Sequence, residues 1–265
     1  PTVGAVSRTH VVPTSASQDP AGPMARTVKD AAALFAGMIG SDTADAATVE
    51  ADAQRAALTP DWSKASLKGV RIGVVRPQMR AALTALYESR LAALRAAGAE
   101  LVEVKLTTPP QLRSLEFTLF QMELKSGLAD YLATTPPAVK VRTLADVIAF
   151  NKGSPAELAY FGQNIFEMAE KTPGTADPAY AKTRDEARRL AAEALDTILA
   201  QHKLAALVAP TTGTAWLSDP VHGGQSRGPS ASQVAPAAPS SATKAVPDTK
   251  AAPPIASKNS SRRSR

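Results

Sequence analysis

The chain has 265 residues, 44% of them hydrophobic, so it can bury a sizeable core as one large domain or two small ones. It contains no cysteine, which excludes disulfides, cysteine-based zinc sites and a catalytic thiol. The formal charge is +6, but residues 233–265 hold six basic residues against one acidic residue, whereas residues 1–232 hold 24 against 23, so nucleic acid is not an expected partner.

The first half of the chain predicts a helix and then a strand–helix–strand unit. Residues 1–26 are rich in Pro, Gly, Ser and Thr and predict an irregular segment. Thr27 and Asp30 fit a capping box that begins the first helix. The alternating run 67–75, a helical pattern ending at Gly98 and the run 101–104 together predict a parallel βαβ unit.

From Pro110 to His202 the pattern is almost wholly helical. An apolar stripe of leucine and methionine over residues 112–128 predicts core contacts, and capping boxes at Thr143–Asp146 and Ser154–Glu157 predict two further helix starts. A long charged helix is expected over residues 178–201. The apolar run 204–209 then predicts a central buried strand.

The composition changes in the last part of the chain. Residues 233–265 contain no aromatic residue, and Ala, Pro and Ser make up 19 of the 33. Such a segment has no apolar face to offset chain entropy, so we expect a disordered low-complexity basic tail after a folded portion at residues 1–232. No apolar run approaches the roughly 20 residues of a membrane span, so no membrane span is expected.

One string in the irregular segment is specific. Residues 15–32 read Ser-Ala-Ser-Gln-Asp-Pro-Ala-Gly-Pro-Met-Ala-Arg-Thr-Val-Lys-Asp-Ala-Ala, which resembles the block that follows the catalytic core of amidase signature enzymes. Ala209-Pro210-Thr211 with the following Gly213 and 215–219 is similar to the loop beside that family's substrate cleft. Residues 141–146 and 160–163 resemble its peptide-amidase-like branch, and fit the related tRNA-dependent amidotransferases less well.

This resemblance implies an α/β fold, a mixed sheet covered by helices, of which this chain is the C-terminal part. It also implies hydrolysis of amide C–N bonds by a Ser–cis-Ser–Lys triad, with backbone N–H groups holding the oxyanion. The family carries those three residues in a Gly/Ser-rich segment and an earlier lysine. No Gly-Ser-Ser-Gly string occurs in the printed sequence, so no catalytic residue can be assigned in it.

The resemblance assigns four candidate substrate-binding residues: Asp19, Gln163, Thr211 and Trp216. Two serines beside Asp19, Ser15 and Ser17, lack a suitably spaced base and are expected to make local backbone hydrogen bonds rather than act as nucleophiles. The three histidines are widely separated, so neither a metal site nor any other cofactor is expected.

Three functions follow as hypotheses. The first is an amidase acting on small amides or peptide amides in the complete enzyme, with this chain a truncated and inactive part. The second is a non-catalytic binding or assembly module derived from an amidase, and the third is a weak nucleic-acid binder that depends on the basic tail. No signal-peptide pattern is visible in the opening residues, and the compartment, cytoplasmic or periplasmic, stays open.

Overall fold

The computed structural model describes residues 2–59, 61–211 and 213. This part of the chain is α/β, as predicted, and its three strands are all parallel. The helices are α1 Val28–Met38, α2 Ala51–Leu58, α3 Ala81–Ala96, α4 Leu112–Ala133, α5 Leu144–Gly153, α6 Asn164–Glu170 and α7 Tyr180–His202. The strands are β1 Arg71–Val75, β2 Glu100–Val104 and β3 Ala206–Val208. The predicted tail at residues 233–265 lies outside the described residues.

The sheet confirms the predicted parallel βαβ unit. Its strand order is β2-β1-β3, and α3 connects β1 to β2. Val74 on β1 is fully buried against Tyr87 and Leu91 of α3, because alternate residues of a strand face the same side. The Tyr87 hydroxyl donates to the carbonyl oxygens of Val75 and Val208 at 3.2 and 2.9 Å, which joins α3 to two strands.

The prediction of a central buried strand at residues 204–209 is wrong for the part of the chain that the structure describes. The strand there is shorter, and it lies at an edge of the three described strands. Its residues are exposed or half-buried rather than buried. An apolar run indicates how buried a strand can be, but not how many neighbours it pairs with.

The helical layer is organised around α4, as the apolar stripe predicted. Leu124 and Leu128 of α4 pack with α5 and α6 in one cluster of buried residues. Leu112 and Leu119 pack with α7 in a second cluster. α4 therefore contacts three other helices and forms the centre of this layer.

Two of the three predicted capping boxes need correction. The box that begins α5 is complete, with Thr143 and Asp146 bonded reciprocally. At α1 the Thr27 hydroxyl accepts from the Asp30 N–H at 3.1 Å, but no return bond from the Asp30 carboxylate forms. Ser154 ends α5 instead of starting a helix, and its carbonyl accepts from Glu157 in a turn. A helix begun there would reach Gly162 after about two turns, too short to persist without packing.

The N-terminal region, residues 2–59, is held mainly by polar contacts and one short bridge. Val6 pairs with the buried Ile39, directly after α1. In α1 itself no residue is buried. Across the described residues, no helix is both long and apolar enough to cross a membrane.

Candidate functional site

The loop Ser15–Asp19 is built around a carboxylate. The Asp19 side chain accepts from the backbone N–H groups of Thr14 and Ser15 at 2.8 and 2.6 Å. The N–H groups of Gln18 and Asp19 donate back to the Ser15 carbonyl at 2.9 and 2.8 Å. Asp favours such turns because its short carboxylate reaches the neighbouring backbone. Asp19, one of the four candidate substrate-binding residues, is therefore used by its own loop.

A second carboxylate holds this loop from inside the protein. Glu123 of α4 is 1% exposed and accepts from the Ser15 hydroxyl, from the Ser17 N–H at 3.2 Å and from the Tyr180 hydroxyl at 2.6 Å. The sequence predicted local backbone bonds for the Ser15 hydroxyl. Its partner is instead a buried side chain 108 positions further along the chain.

The outer side of the loop is supported by Arg8. Its guanidinium donates to the carbonyl oxygens of Ala16 and Asp19 and forms a half-buried ion pair with Asp45 at 3.0 Å. The hydrogen bonds from Arg8 lower the pKa of Asp45, and burial opposes them. The loop is thus held from both sides by ionisable side chains.

Hydrogen bonding and burial shift two further pKa values near the loop. Hydroxyl donors at Ser7 and Thr9 lower the pKa of Asp42 to about 2. Burial, reinforced by the bond to Glu123, raises the pKa of Tyr180 to about 12. Tyr180 therefore stays a hydrogen-bond donor throughout the physiological range.

Gln163 lies at the start of α6, and its amide is occupied at both ends. Its nitrogen donates to the Ile148 carbonyl at 3.2 Å, and its oxygen accepts from the Asn151 amide at 3.1 Å. These bonds join the start of α6 to α5. Within the described residues, no hydrogen bond connects Gln163 with Asp19 or Thr211.

The other two candidates follow β3. Thr211 is exposed, three residues beyond the strand. Trp216 lies outside the described residues. The four candidate residues thus belong to three separate segments, and the loop Ser15–Asp19 is the best-ordered of the candidate segments because three side chains fix it.

The described residues hold no group of three or more histidines and carboxylates that could bind a metal ion. A half-buried lysine, Lys125, donates to the carbonyl oxygens of Glu170 and Thr172 at 2.7 and 2.8 Å and pairs with the Glu170 carboxylate at 3.1 Å. These acceptors suit a charged ammonium, whereas a general base must be neutral. Lys125 is therefore a structural residue.

The family model described as Amidase matches residues 1–249. The chain belongs to the amidase family.

Similar proteins agree with this assignment. A probable amidase from Arabidopsis thaliana is 30% identical over 219 residues, which are 78% of this chain and 41% of that protein. A polypeptide of the glutamyl-tRNA(Gln) amidotransferase from Rhodopseudomonas palustris is 39% identical over 138 residues, 49% of this chain and 27% of its own length.

Solved structures support the peptide-amidase-like branch. The native peptide amidase from Stenotrophomonas maltophilia superposes with a TM-score of 0.73 at 41% identity, and the match covers 89% of this chain and 48% of that one. The amidase-family chain therefore spans about half the length of its relatives.

Sequence reasoning missed Glu123, Tyr180 and Arg8. Glu123 left a detectable signal, because it is an acidic residue inside the apolar stripe of α4, between Met122 and Leu124. An acidic residue is rarely buried unless a specific partner holds it. Its partners lie more than 50 residues away in both directions, so spacing alone could not identify them.

Proposed function

We propose that this chain forms the C-terminal portion of an amidase domain that hydrolyses the C–N bonds of small amides or peptide amides. The observation that carries the proposal is the match to the peptide amidase at 41% identity over 89% of this chain. Over such a length, that identity supports shared chemistry as well as shared fold. The products are a carboxylic acid and ammonia or an amine.

The surface of α1 supports the view that this portion is completed by another. Val28 and Leu34 of the helix are 74% and 48% exposed, and Met24 just before it is 94% exposed. Exposed apolar side chains grouped in one segment mark a surface that another structure covers. In a domain twice as long, the remaining portion supplies such a cover.

The proposal divides the work between two portions. The nucleophilic serine, the bridging serine and the lysine come from a segment like the one that precedes residues 15–32 in the family, so the 265 residues alone do not hydrolyse amides. This chain contributes the loop Ser15–Asp19 at one border of the cleft. Thr211 and Trp216 contribute a second border, where an indole ring offers a flat apolar wall to a substrate side chain.

The roles proposed for the four candidate residues differ. Asp19 and Gln163 act through the backbone segments that they hold, because their polar atoms already have partners. Thr211, which is exposed, and Trp216 contact the substrate. Substitution of Thr211 or Trp216 should therefore change substrate preference, whereas substitution of Asp19 should affect all substrates equally.

A chimera tests the proposal. The matched half of the Stenotrophomonas maltophilia peptide amidase is replaced by this chain, and ammonia release from a peptide amide is followed. We expect turnover by the chimera, none by the 265-residue chain, and none by a chimera whose nucleophilic serine is changed to alanine. Turnover by the 265-residue chain itself, or a well-folded chimera without turnover, contradicts the proposal.

A second candidate function is a non-catalytic binding or assembly module. Large apolar side chains are exposed around α5 and α6, namely Phe150, Tyr160, Phe161, Ile165 and Met168. Such side chains favour a protein partner. Under this alternative the folded chimera stays inactive, while charged substitutions at Phe150 and Phe161 abolish association measured by light scattering.

A further inference from the structure

Glu123 is an unusual residue for the centre of a helical layer. It is 1% exposed and lies on α4 between two buried apolar residues, Met122 and Leu124. No ion pair among the described residues includes it. Burial of a carboxylate is costly unless hydrogen bonds compensate, so the position demands a specific reason.

The two oxygens of Glu123 bond to different parts of the molecule. Oε2 accepts from the Ser15 hydroxyl and, at 3.2 Å, from the Ser17 N–H, both in the loop Ser15–Asp19. Oε1 accepts from the Tyr180 hydroxyl of α7 at 2.6 Å. One carboxylate thus connects the loop to two helices of the layer.

The backbone donor is the informative contact. A hydroxyl can rotate toward another acceptor, but the Ser17 N–H has a fixed direction and needs an acceptor at one place. The Asp19 carboxylate shapes the loop locally, whereas Glu123 fixes its position relative to α4. Without that acceptor the turn can form but can shift as a unit.

We propose that Glu123 is the positioning residue of the loop Ser15–Asp19, holding it in the one conformation in which it borders the substrate cleft. The anchoring of the loop stands on the contacts above, and its consequence for catalysis rests on the proposed function.

Hydrogen exchange on the 265-residue chain tests the anchoring. Glu123→Leu keeps a similar volume and removes both acceptors. We expect the Ser17, Gln18 and Asp19 amides to exchange about tenfold faster or more, since a hydrogen bond to a charged group is worth at least about a factor of ten in an opening equilibrium. Amides of α4 and the urea unfolding midpoint should not change, because leucine suits an apolar layer.

Two variants serve as controls. Glu123→Gln retains an acceptor for the loop and can donate to Tyr180, so loop exchange should stay within about threefold of the unsubstituted chain. Tyr180→Phe removes a partner of the same carboxylate without touching the loop, and it should leave the three loop amides unchanged. If Glu123→Leu fails to fold, Ser15→Ala replaces it, with the same local acceleration expected.

Unchanged loop exchange in Glu123→Leu, or in Ser15→Ala where that variant is needed, overturns the proposal. The catalytic consequence is read in the chimera, where Glu123→Leu should lower kcat/KM about tenfold or more and Glu123→Gln should stay within about threefold, because small displacements of positioning groups are costly in rate. An accelerated loop with normal kcat/KM overturns the cleft role. An inactive unsubstituted chimera contradicts the proposed function, while the exchange data still decide the anchoring.

Discussion

Helices α1 and α4 are both rich in apolar residues, yet they have opposite surroundings. α4 buries six residues against α5, α6 and α7, whereas α1 buries none. The three apolar clusters of the described residues all lie between Val74 and Val208. The comparison teaches that an apolar helix records where a protein expects a neighbour, and that the neighbour of α1 is not among the residues described.

The largest expected effect comes from the clusters around α4. Leu144 is 1% exposed and packs with Leu124 and Leu128. Leu144→Ala should lower the free energy of unfolding by about 2–5 kcal/mol, because it removes apolar contacts and leaves a cavity. Leu34→Ala on α1, the matched control, should cost less than about 0.5 kcal/mol. Urea denaturation measures both, and similar costs would break the comparison.

The next effect comes from the polar contacts that hold the N-terminal region. Asp45 accepts three hydrogen bonds from Arg8, each 3.0 Å long. Asp45→Asn should cost about 1–3 kcal/mol, because it weakens charge-assisted bonds in a half-buried place. Asp185→Asn removes an exposed ion pair with Arg184 and should cost less than about 1 kcal/mol. Equal costs in urea denaturation would show that burial of the Arg8 pair does not matter.

The helix caps give a smaller and more selective comparison. Thr143→Ala at α5 should cost about 1 kcal/mol of global stability, a usual value for an N-cap. Thr27→Ala at α1 removes one cap bond from a helix that buries no residue, so it should fray α1 and change global stability by less than about 0.5 kcal/mol. A loss of equal size at both caps, measured by circular dichroism during urea unfolding, would contradict an unpacked α1.

The pH response of Asp42 is the smallest predicted effect. Its pKa in the folded chain is lowered to about 2, below the value near 3.8 of an unperturbed aspartate. The stability it contributes is therefore fully present above about pH 4 and is lost as the pH falls toward 2. The stability difference between the unsubstituted chain and Asp42→Asn should shrink over that interval in urea titrations. A constant difference from pH 5 to pH 2 would show that the Ser7 and Thr9 bonds do not form in solution.

Local patterns predicted the elements whose causes are local. The βαβ unit, α4, α7 and the Thr143 cap follow from periodicity and from side chains within four residues of each other. The family string at residues 15–32 located the loop that proves to be held from both sides. These parts needed no knowledge of distant neighbours.

The remaining errors concern partners far apart in sequence. Ser154 has the pattern of a helix start but ends α5, because the segment after it is too short to persist as a helix. The bond from Ser15 to Glu123 spans 108 positions, and no spacing rule reaches that far. Trp216 lies outside the described residues and stays a prediction.

Hydrogen exchange of the α1 amides tests the central claim most directly, measured in the 265-residue chain and in the peptide amidase chimera. If the other portion of an amidase domain covers α1, its amides should exchange about tenfold more slowly or better in the chimera, because packing adds to helix stability, while α4 exchanges alike in both proteins. Equal exchange of α1 in the two proteins would contradict the claim that this surface is completed by the rest of an amidase domain.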